Sequence, residues 1–177
     1  MIRKPAPLEE PALLEYAIRT ISGRGLSVTE LRNKLARRAA SPADVEKVMG
    51  KLKDAGALDD RRFAEHFASS RLENQGFGKM RVLRDLRARR VAPAVADEAI
   101  GAAYNEVDET ALIESYIERK FRGKNLKVYL SEEKNLASAF RKLRGAGFSP
   151  GNSIRILKKY SQAADQLEEM DANETEE

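Results

Sequence analysis

The chain has 177 residues, of which 42% are hydrophobic, 34% charged and 6% aromatic, which suits one large domain or a few small ones. The absence of cysteine excludes thiol catalysis, disulfides and thiolate metal sites, and the single histidine, His66, excludes a zinc site built from several imidazoles. The sequence contains no run of 18 apolar residues, so it predicts no membrane helix. Its start also lacks the apolar stretch of a secretory signal, so we expect a cytoplasmic protein.

The formal net charge of +4 combines a basic body with an acidic C-terminal segment. Residues 161–177 contain seven acids and no Lys or Arg, so residues 1–160 hold 32 basic and 21 acidic residues, or +11. A basic body attracts polyanions, and nucleic acid is the commonest polyanion in a cytoplasm. The acidic segment has few apolar residues and is predicted to be a disordered tail.

Helix signals follow one another along the chain. Ser27 and Glu30 have the spacing of a capping box, and Ser41 precedes Pro42 at a first helical position. Apolar residues between such signals recur at helical spacing, and no alternating stretch is long enough to predict a strand. The fold is therefore predicted to be all-α. The predicted helices cover residues 9–22, 27–38, 42–55, 59–75, 79–90, 93–104, 108–122, 132–145 and 150–160.

Prolines that start helices mark an internal repeat. Pro42 and Pro93 are 51 positions apart, and Pro93 and Pro150 are 57 positions apart. Apolar positions coincide at the same offsets, including Leu35, Leu86 and Leu143. Each unit is predicted to hold three short helices with a tight turn before the last one, like a helix-turn-helix fold.

The repeats set the predicted domain boundaries. The segments are residues 1–8, an N-terminal extension; 9–56, 57–105 and 106–160, the three tandem repeats; and 161–177, the acidic tail. A repeat of this size buries little surface alone, so neighbouring repeats are expected to dock into an elongated body.

The densest positive charge lies in segment 79–90, KMRVLRDLRARR, which holds six basic residues and one acid. At about 100° per residue, Val82 and Leu86 share one face of this helix, so Arg81 and Arg84 are predicted to project outward. The planar fork of arginine suits both phosphates and carboxylates. The segment is therefore predicted to bind either DNA or an acidic protein groove.

Other polar positions carry weaker signals. Asp59 and Asp60 are interpreted as helix caps, and His66 beside Phe67 is interpreted as a structural residue. A second basic stretch is predicted to form a mobile loop, and binding by this loop is a secondary hypothesis; its members are Lys120, Arg122, Lys124 and Lys127. A third basic patch follows, with the members Arg141, Lys142 and Arg144.

Several segments resemble the RecX family. Residues 56–71, GALDDRRFAEHFASSR, are similar to its Gly-Leu-Asp-Asp turn and Arg-Phe-Ala pattern, and residues 76–86 to its Gly-Tyr-Gly motif and basic helix. Residues 16–35 resemble the family's opening, and residues 139–157 resemble its third repeat. The resemblance covers nearly the whole predicted helical body.

This resemblance implies a modulator of the bacterial recombinase RecA. Family members are curved chains of three trihelical repeats that bind along the groove of the RecA filament on single-stranded DNA. They oppose filament growth, and they thereby inhibit ATP hydrolysis, strand exchange and co-protease activity in recombination, DNA repair and the SOS response. We expect a monomer that needs no cofactor. Single-stranded DNA is expected to be a weaker partner than the filament, and duplex DNA is a further candidate partner.

The residues predicted to contact the filament or DNA lie in the first two repeats. They are Lys79, Arg81, Arg84, Arg87, Arg89 and Arg90, with Arg71 as support, and Arg32, Lys34, Arg37 and Arg38 as their equivalents in the first repeat.

Two other classes of function remain as alternatives. A helix-turn-helix transcription factor would read bases in the major groove, but the basic helix has no Asn or Gln for adenine edges. An enzyme such as a nuclease would need clustered carboxylates for a metal, whereas the acids are spread over helix caps and the tail.

Overall fold

A computed structural model describes residues 6–23 and 25–167. These residues form α-helices, one 3-10 helix at Gln162–Gln166 and no strand, so the all-α prediction is confirmed. The α-helices are α1 (Glu10–Gly23), α2 (Val28–Ala36), α3 (Pro42–Asp54), α4 (Asp60–Gln75), α5 (Lys79–Ala88), α6 (Pro93–Tyr104), α7 (Glu109–Lys120), α8 (Leu126–Tyr129), α9 (Glu133–Gly145) and α10 (Pro150–Leu157). Every α-helix in this described part is too short or too polar to span a membrane.

Two helical segments were not predicted. Helix α8 lies in the stretch that was expected to be a mobile loop, and the side chain of Asn125 caps it by accepting a hydrogen bond from Val128 N at 3.4 Å. The 3-10 helix lies where the disordered tail was expected to begin. That expectation is wrong for this part, because Ala164 and Leu167 are buried in a hydrophobic core. Residues 168–177 of the predicted tail lie outside the described residues.

The predicted helix caps are present. Ser27 Oγ accepts a hydrogen bond from Glu30 N at 3.1 Å, and the Glu30 carboxylate accepts one from Ser27 N at 3.1 Å, which completes the capping box. Asp59 Oδ1 accepts hydrogen bonds from the amides of Arg61 and Arg62 at 2.9 and 3.0 Å. These bonds pair amides that have no partner inside a first helical turn.

The chain divides into two compact units. Unit 1 consists of residues 1–67 and 85–99, and unit 2 of residues 68–84 and 100–177. Within unit 1, α1, α2 and α3 enclose a core. Its buried members are Leu13, Ala17, Leu26, Leu31, Leu35, Val45, Val48, Met49 and Leu52.

Unit 2 has its own core, which α7, α9 and α10 supply together with the 3-10 helix. Its largest fully buried side chains are Phe140, Phe148, Ile113, Ile117, Leu130, Leu136, Leu143 and Ile156. The start of α5 packs on the turn between α9 and α10. There Gly78 N donates to Ala146 O at 2.9 Å and Met80 N donates to Gly147 O at 3.2 Å, so the first turn of α5 is paired with carbonyls that follow α9.

The turn after α5 and the turn after α9 have the same hydrogen-bond pattern. The amides of Val91 and Phe148 each donate to the carbonyl five residues earlier, both at 3.2 Å, as in a Schellman motif. The residue before each is left-handed, with φ 91° at Gly147 and φ 61° at Arg90. Because these positions are 57 apart, like Pro93 and Pro150, the shared turn supports tandem repeats.

Candidate interaction surface

The N-terminal half of α5, in unit 2, carries Arg81 and Arg84. Arg81, which was predicted to project outward, is instead half-buried, with its guanidinium 4.3 Å from the centroid of the Phe77 ring. It donates a hydrogen bond to Gly145 O at 3.2 Å, and the exposed Arg84 donates to the same carbonyl at 3.4 Å. Both arginines therefore cap the end of α9, where helix carbonyls attract cations.

Lys79 is exposed at the edge of a small cleft of about 90 Å³, which Tyr104 and Glu109 also line. The Glu109 carboxylate accepts hydrogen bonds from Ser149 N at 2.9 Å, from Ser149 Oγ at 2.5 Å and from Asn152 Nδ2 at 2.6 Å. Burial acts to raise the pKa of Glu109, but these hydrogen bonds and the charge of Lys79 lower it below its ordinary value. The carboxylate is therefore engaged in capping α10, which leaves Lys79 as the available charge of the cleft.

Tyr104 is a second polar group in this cleft. Its hydroxyl donates to Phe77 O at 2.7 Å, and burial raises the pKa of Tyr104 to about 12. The hydroxyl thus stays protonated at neutral pH and holds the backbone before α5 in place.

Arg71, which was predicted to support the contacts, is half-buried on α4. Its guanidinium donates to Gln75 Oε1 at 2.8 Å. Next to it, the guanidinium of Arg119 donates to Gln75 O, so the end of α4 is tied to α7. Arg71 therefore contributes to the packing within unit 2.

The C-terminal end of α5, in unit 1, carries Arg87 and then Arg89 and Arg90. Arg87 is exposed and lies 3.5 Å from the carboxylate of Asp97. Arg90 is also exposed and has the left-handed backbone noted above. An exposed ion pair such as that of Arg87 contributes little stability, so its guanidinium is available to a stronger anionic partner.

Arg89 is enclosed by other residues of unit 1. Its guanidinium lies 5.6 and 5.0 Å from the ring centroids of Phe63 and Phe67, and 3.3 Å from the Glu30 carboxylate. Its backbone carbonyl accepts a hydrogen bond from Ser27 Oγ at 2.6 Å. With 19% of its side chain exposed, Arg89 stabilises unit 1 and is not presented to a partner.

In the first repeat, the four predicted residues have different surroundings. Arg32 is exposed and forms an ion pair with Glu46. Arg38 is half-buried, 5.5 Å from the centroid of the Tyr16 ring, and its Nε is buried without a hydrogen-bond partner among the described residues. Lys34 and Arg37 are exposed and form no ion pair within residues 6–23 and 25–167. The last two are therefore the most accessible charges of this group.

Within residues 6–23 and 25–167, no group of three or more His, Asp or Glu side chains is placed so that it could hold a metal ion. Asp59 caps α4, and Asp60 Oδ1 accepts a hydrogen bond from Val28 N at 2.7 Å, so both are used as caps. His66 was interpreted as structural, but it is exposed on α4.

Sequence reasoning missed three residues that position these side chains, namely Gly78, Gly147 and Glu109. A Cβ atom on Gly78 would lie 2.3 Å from Gly147 O, so only glycine allows this close approach. Both glycines lie in segments that were noted only for their resemblance to the family, residues 76–86 and residues 139–157. Glu109 follows a helix cap, and the sequence around it does not indicate that its carboxylate binds Ser149 at the start of α10, 40 positions later.

Comparison with known proteins gives this fold a family context. Residues 59–100 match the family described as RecX, second three-helix domain, within the segment predicted as the second repeat. The chain is 36% identical over 145 residues to the regulatory protein RecX of Thermus thermophilus, an alignment that covers 82% of this chain and 89% of that protein.

Other relatives match over a smaller part of their length. The chain is 41% identical over 110 residues to the regulatory protein RecX of Halorhodospira halophila, covering 62% of this chain and 66% of the relative. The matched part is 60% of the relative from Chromohalobacter salexigens and 63% of the one from Chlorobium phaeobacteroides. The crystal structure of RecX from Lactobacillus salivarius superposes with a TM-score of 0.60 at 15% identity, over 84% of this chain and 94% of that one, which shows a shared fold.

An all-α fold with tandem three-helix repeats defines a helical-repeat protein. The sequence identity and the coverage of the match to the Thermus protein also establish the family. The chain belongs to the RecX family of regulatory proteins.

Proposed function

We propose that this protein regulates the recombinase RecA by binding the RecA filament on single-stranded DNA in its groove and by inhibiting filament extension. ATP hydrolysis, strand exchange and co-protease activity depend on the filament, so each of them falls when the filament stops growing. The protein acts by binding and not by catalysis, and its effect is to modulate recombination and the SOS response.

Exposed basic side chains on both units carry this proposal. Lys34 and Arg37 on unit 1, and Lys79 on unit 2, are exposed. A filament on DNA offers two kinds of anion, the phosphates of the strand and the carboxylates of the recombinase, and basic side chains attract both. Met80, which is 54% exposed and follows Lys79, adds an apolar contact that suits a protein surface.

The surroundings of each predicted residue divide the group into two roles. We assign contact with the filament to the exposed members, which are Arg32, Lys34, Arg37, Lys79, Arg84, Arg87 and Arg90. The half-buried members are positioning residues, because their guanidinium groups already contact other residues of their own unit. These are Arg38, Arg71, Arg81 and Arg89.

The test is the ATPase rate of RecA on single-stranded DNA, measured as this protein is titrated in. We expect the wild-type chain to lower the rate. The double variant Lys34→Glu/Arg37→Glu is expected to need about tenfold more protein for the same inhibition, since tenfold in affinity corresponds to about 1.4 kcal/mol.

The matched control is Arg19→Glu/Lys53→Glu, which makes the same change in net charge at two other exposed positions of unit 1. Circular dichroism spectra of both variants should match that of the wild type. If the wild-type chain leaves the RecA ATPase unchanged, the proposed function is wrong. If both double variants inhibit equally, the assignment of Lys34 and Arg37 is wrong.

A further inference from the structure

The third repeat carries a concentration of positive charge to which no role has been assigned. Residues 119–127 contain five basic residues and no acid. Six exposed cations of this region, which we call the basic cluster, form no ion pair with any residue in 6–23 or 25–167. They are Lys120, Arg122, Lys124, Lys127, Arg141 and Lys142.

Two aromatic rings bring two members of the basic cluster together in unit 2. The ring centroids of Phe121 and Tyr129 are 5.5 Å apart. Lys124 Nζ lies 3.6 Å from the centroid of Tyr129, and Lys142 Nζ lies 5.3 Å from the centroid of Phe121. The segment 120–129 and the end of α9 are therefore neighbours, although the sequence separates them and suggested a mobile loop.

The charge of this surface is not explained by the needs of the fold. Lys120 and Lys142 lie in the last turns of α7 and α9, where helix carbonyls favour cations. Arg122 and Lys124 lie between α7 and α8 and have no such benefit. Some exposed cations elsewhere have acidic partners, as in the pair Arg61–Glu98 at 3.0 Å. Repulsion between unbalanced cations opposes folding, and a bound polyanion would relieve it.

We propose that the basic cluster is a binding site for the sugar-phosphate backbone of a single-stranded nucleic acid. Val128, which is 66% exposed, lies between Lys127 and the partly exposed Tyr129. Unstacked bases have apolar faces that can contact such side chains, whereas a duplex hides those faces inside its stack. The cations thus hold the phosphates, and Val128 and Tyr129 face the bases.

This site extends the proposed function, because it would hold the strand on which the filament forms. Its test needs no recombinase. The full-length chain is titrated against a dye-labelled oligothymidylate, and fluorescence anisotropy is followed over a range of salt concentrations. The test variant is Arg122→Glu/Lys127→Glu, and the control with the same charge change is Arg19→Glu/Lys53→Glu.

We expect the test variant to bind the oligonucleotide at least about tenfold more weakly than the control at low salt. Each phosphate contact to a single strand contributes about 0.7 to the slope of log affinity against log salt, so two lost contacts should reduce that slope by about 1.4. The uncharged change Val128→Ser should weaken binding to the single strand and leave binding to a duplex unaltered. Circular dichroism and thermal midpoints establish that each variant is folded.

Three results would overturn the proposal. The first is an equal loss of affinity in the test and control variants, which would make the effect one of net charge. The second is tighter binding of a duplex than of the single strand by the wild type. The third is an unchanged affinity of Val128→Ser for the single strand. None of them depends on the RecA ATPase, so failure here and failure of the proposed function are separate outcomes.

Discussion

Arg89 and Arg90 are adjacent in the chain, yet their side chains have different tasks. The side chain of Arg89 lies against Phe63 and Phe67, so its charge stabilises unit 1. Arg90 is exposed and its charge is available. In a dense run of basic residues, the neighbours of each side chain decide whether it contributes to packing or to binding.

Glu109 illustrates a titratable group at the residue scale. We expect Glu109→Gln to lower the free energy of unfolding at pH 7 by about 1–2 kcal/mol, because hydrogen bonds to a charged acceptor are stronger than those to an amide. The pKa of Glu109 is lowered from 4.5, so its carboxylate stabilises the fold fully above pH 4.5 and loses this effect as the pH falls through the folded-state pKa.

Urea unfolding of wild type and variant at pH 7 and at several values below pH 4.5 measures this effect. The difference between them should shrink as the pH falls. Glu118→Gln is the control, since Glu118 is exposed on the same helix. Equal stability of Glu109→Gln and wild type at pH 7 would contradict the role of the carboxylate.

The contact between Gly78 and Gly147 belongs to the scale of elements, because it seats the start of α5 on the turn after α9. A methyl group on Gly78 would meet the backbone of Gly147 at 2.3 Å, and backbone cannot move aside as a flexible side chain can. Gly78→Ala is expected to destabilise the protein by about 1–3 kcal/mol through overpacking.

Thermal or urea unfolding checks this prediction, with Gly101→Ala as the matched control. Gly101 lies inside α6, and a Cβ atom there would meet nothing within 4 Å. That change should instead stabilise the protein by about 0.5–1 kcal/mol, since alanine is the better helix former. If Gly78→Ala were as stable as Gly101→Ala, the close approach would be refuted.

Helices with long apolar stripes were predictable, and short ones were not. Helix α5 begins at Lys79 as predicted and ends at Ala88, two residues before the predicted end at Arg90. Helix α8 has only four residues, too few for an apolar period, and it depends on the cap from Asn125. The 3-10 helix was missed because Asp165 and the acids after it suggested a tail, whereas Ala164 and Leu167 anchor the segment in a core.

At the scale of the whole molecule, charge is distributed unevenly along the chain. Residues 168–177 contain six acids, and removing them would raise the formal net charge from +4 to +10. We expect a chain that ends at Leu167 to bind single-stranded DNA more tightly at low salt, and equally at high salt, where long-range attraction is screened. Ending the chain at residue 160 would instead remove the buried Ala164 and Leu167.

Fluorescence anisotropy of a labelled oligonucleotide, titrated with the truncated and the full-length chain, measures this effect. The thermal midpoint of the truncated chain should match that of the full chain, because Leu167 is retained. Equal affinities at low salt would mean that the acidic segment does not screen the basic body.

The sequence by itself determined the helical fold, its repeat and the resemblance to the RecX family. Helix caps such as Ser27 with Glu30 join residues three positions apart, so their pattern is visible in a short window of sequence. The tertiary structure alone decided which cations are available, since Arg81 meets Gly145 and Arg89 meets Glu30 across about 60 positions. It also brought Lys124 and Lys142 to one aromatic pair. Local periodicity carries no information about such distant partners, because they depend on how the helices pack.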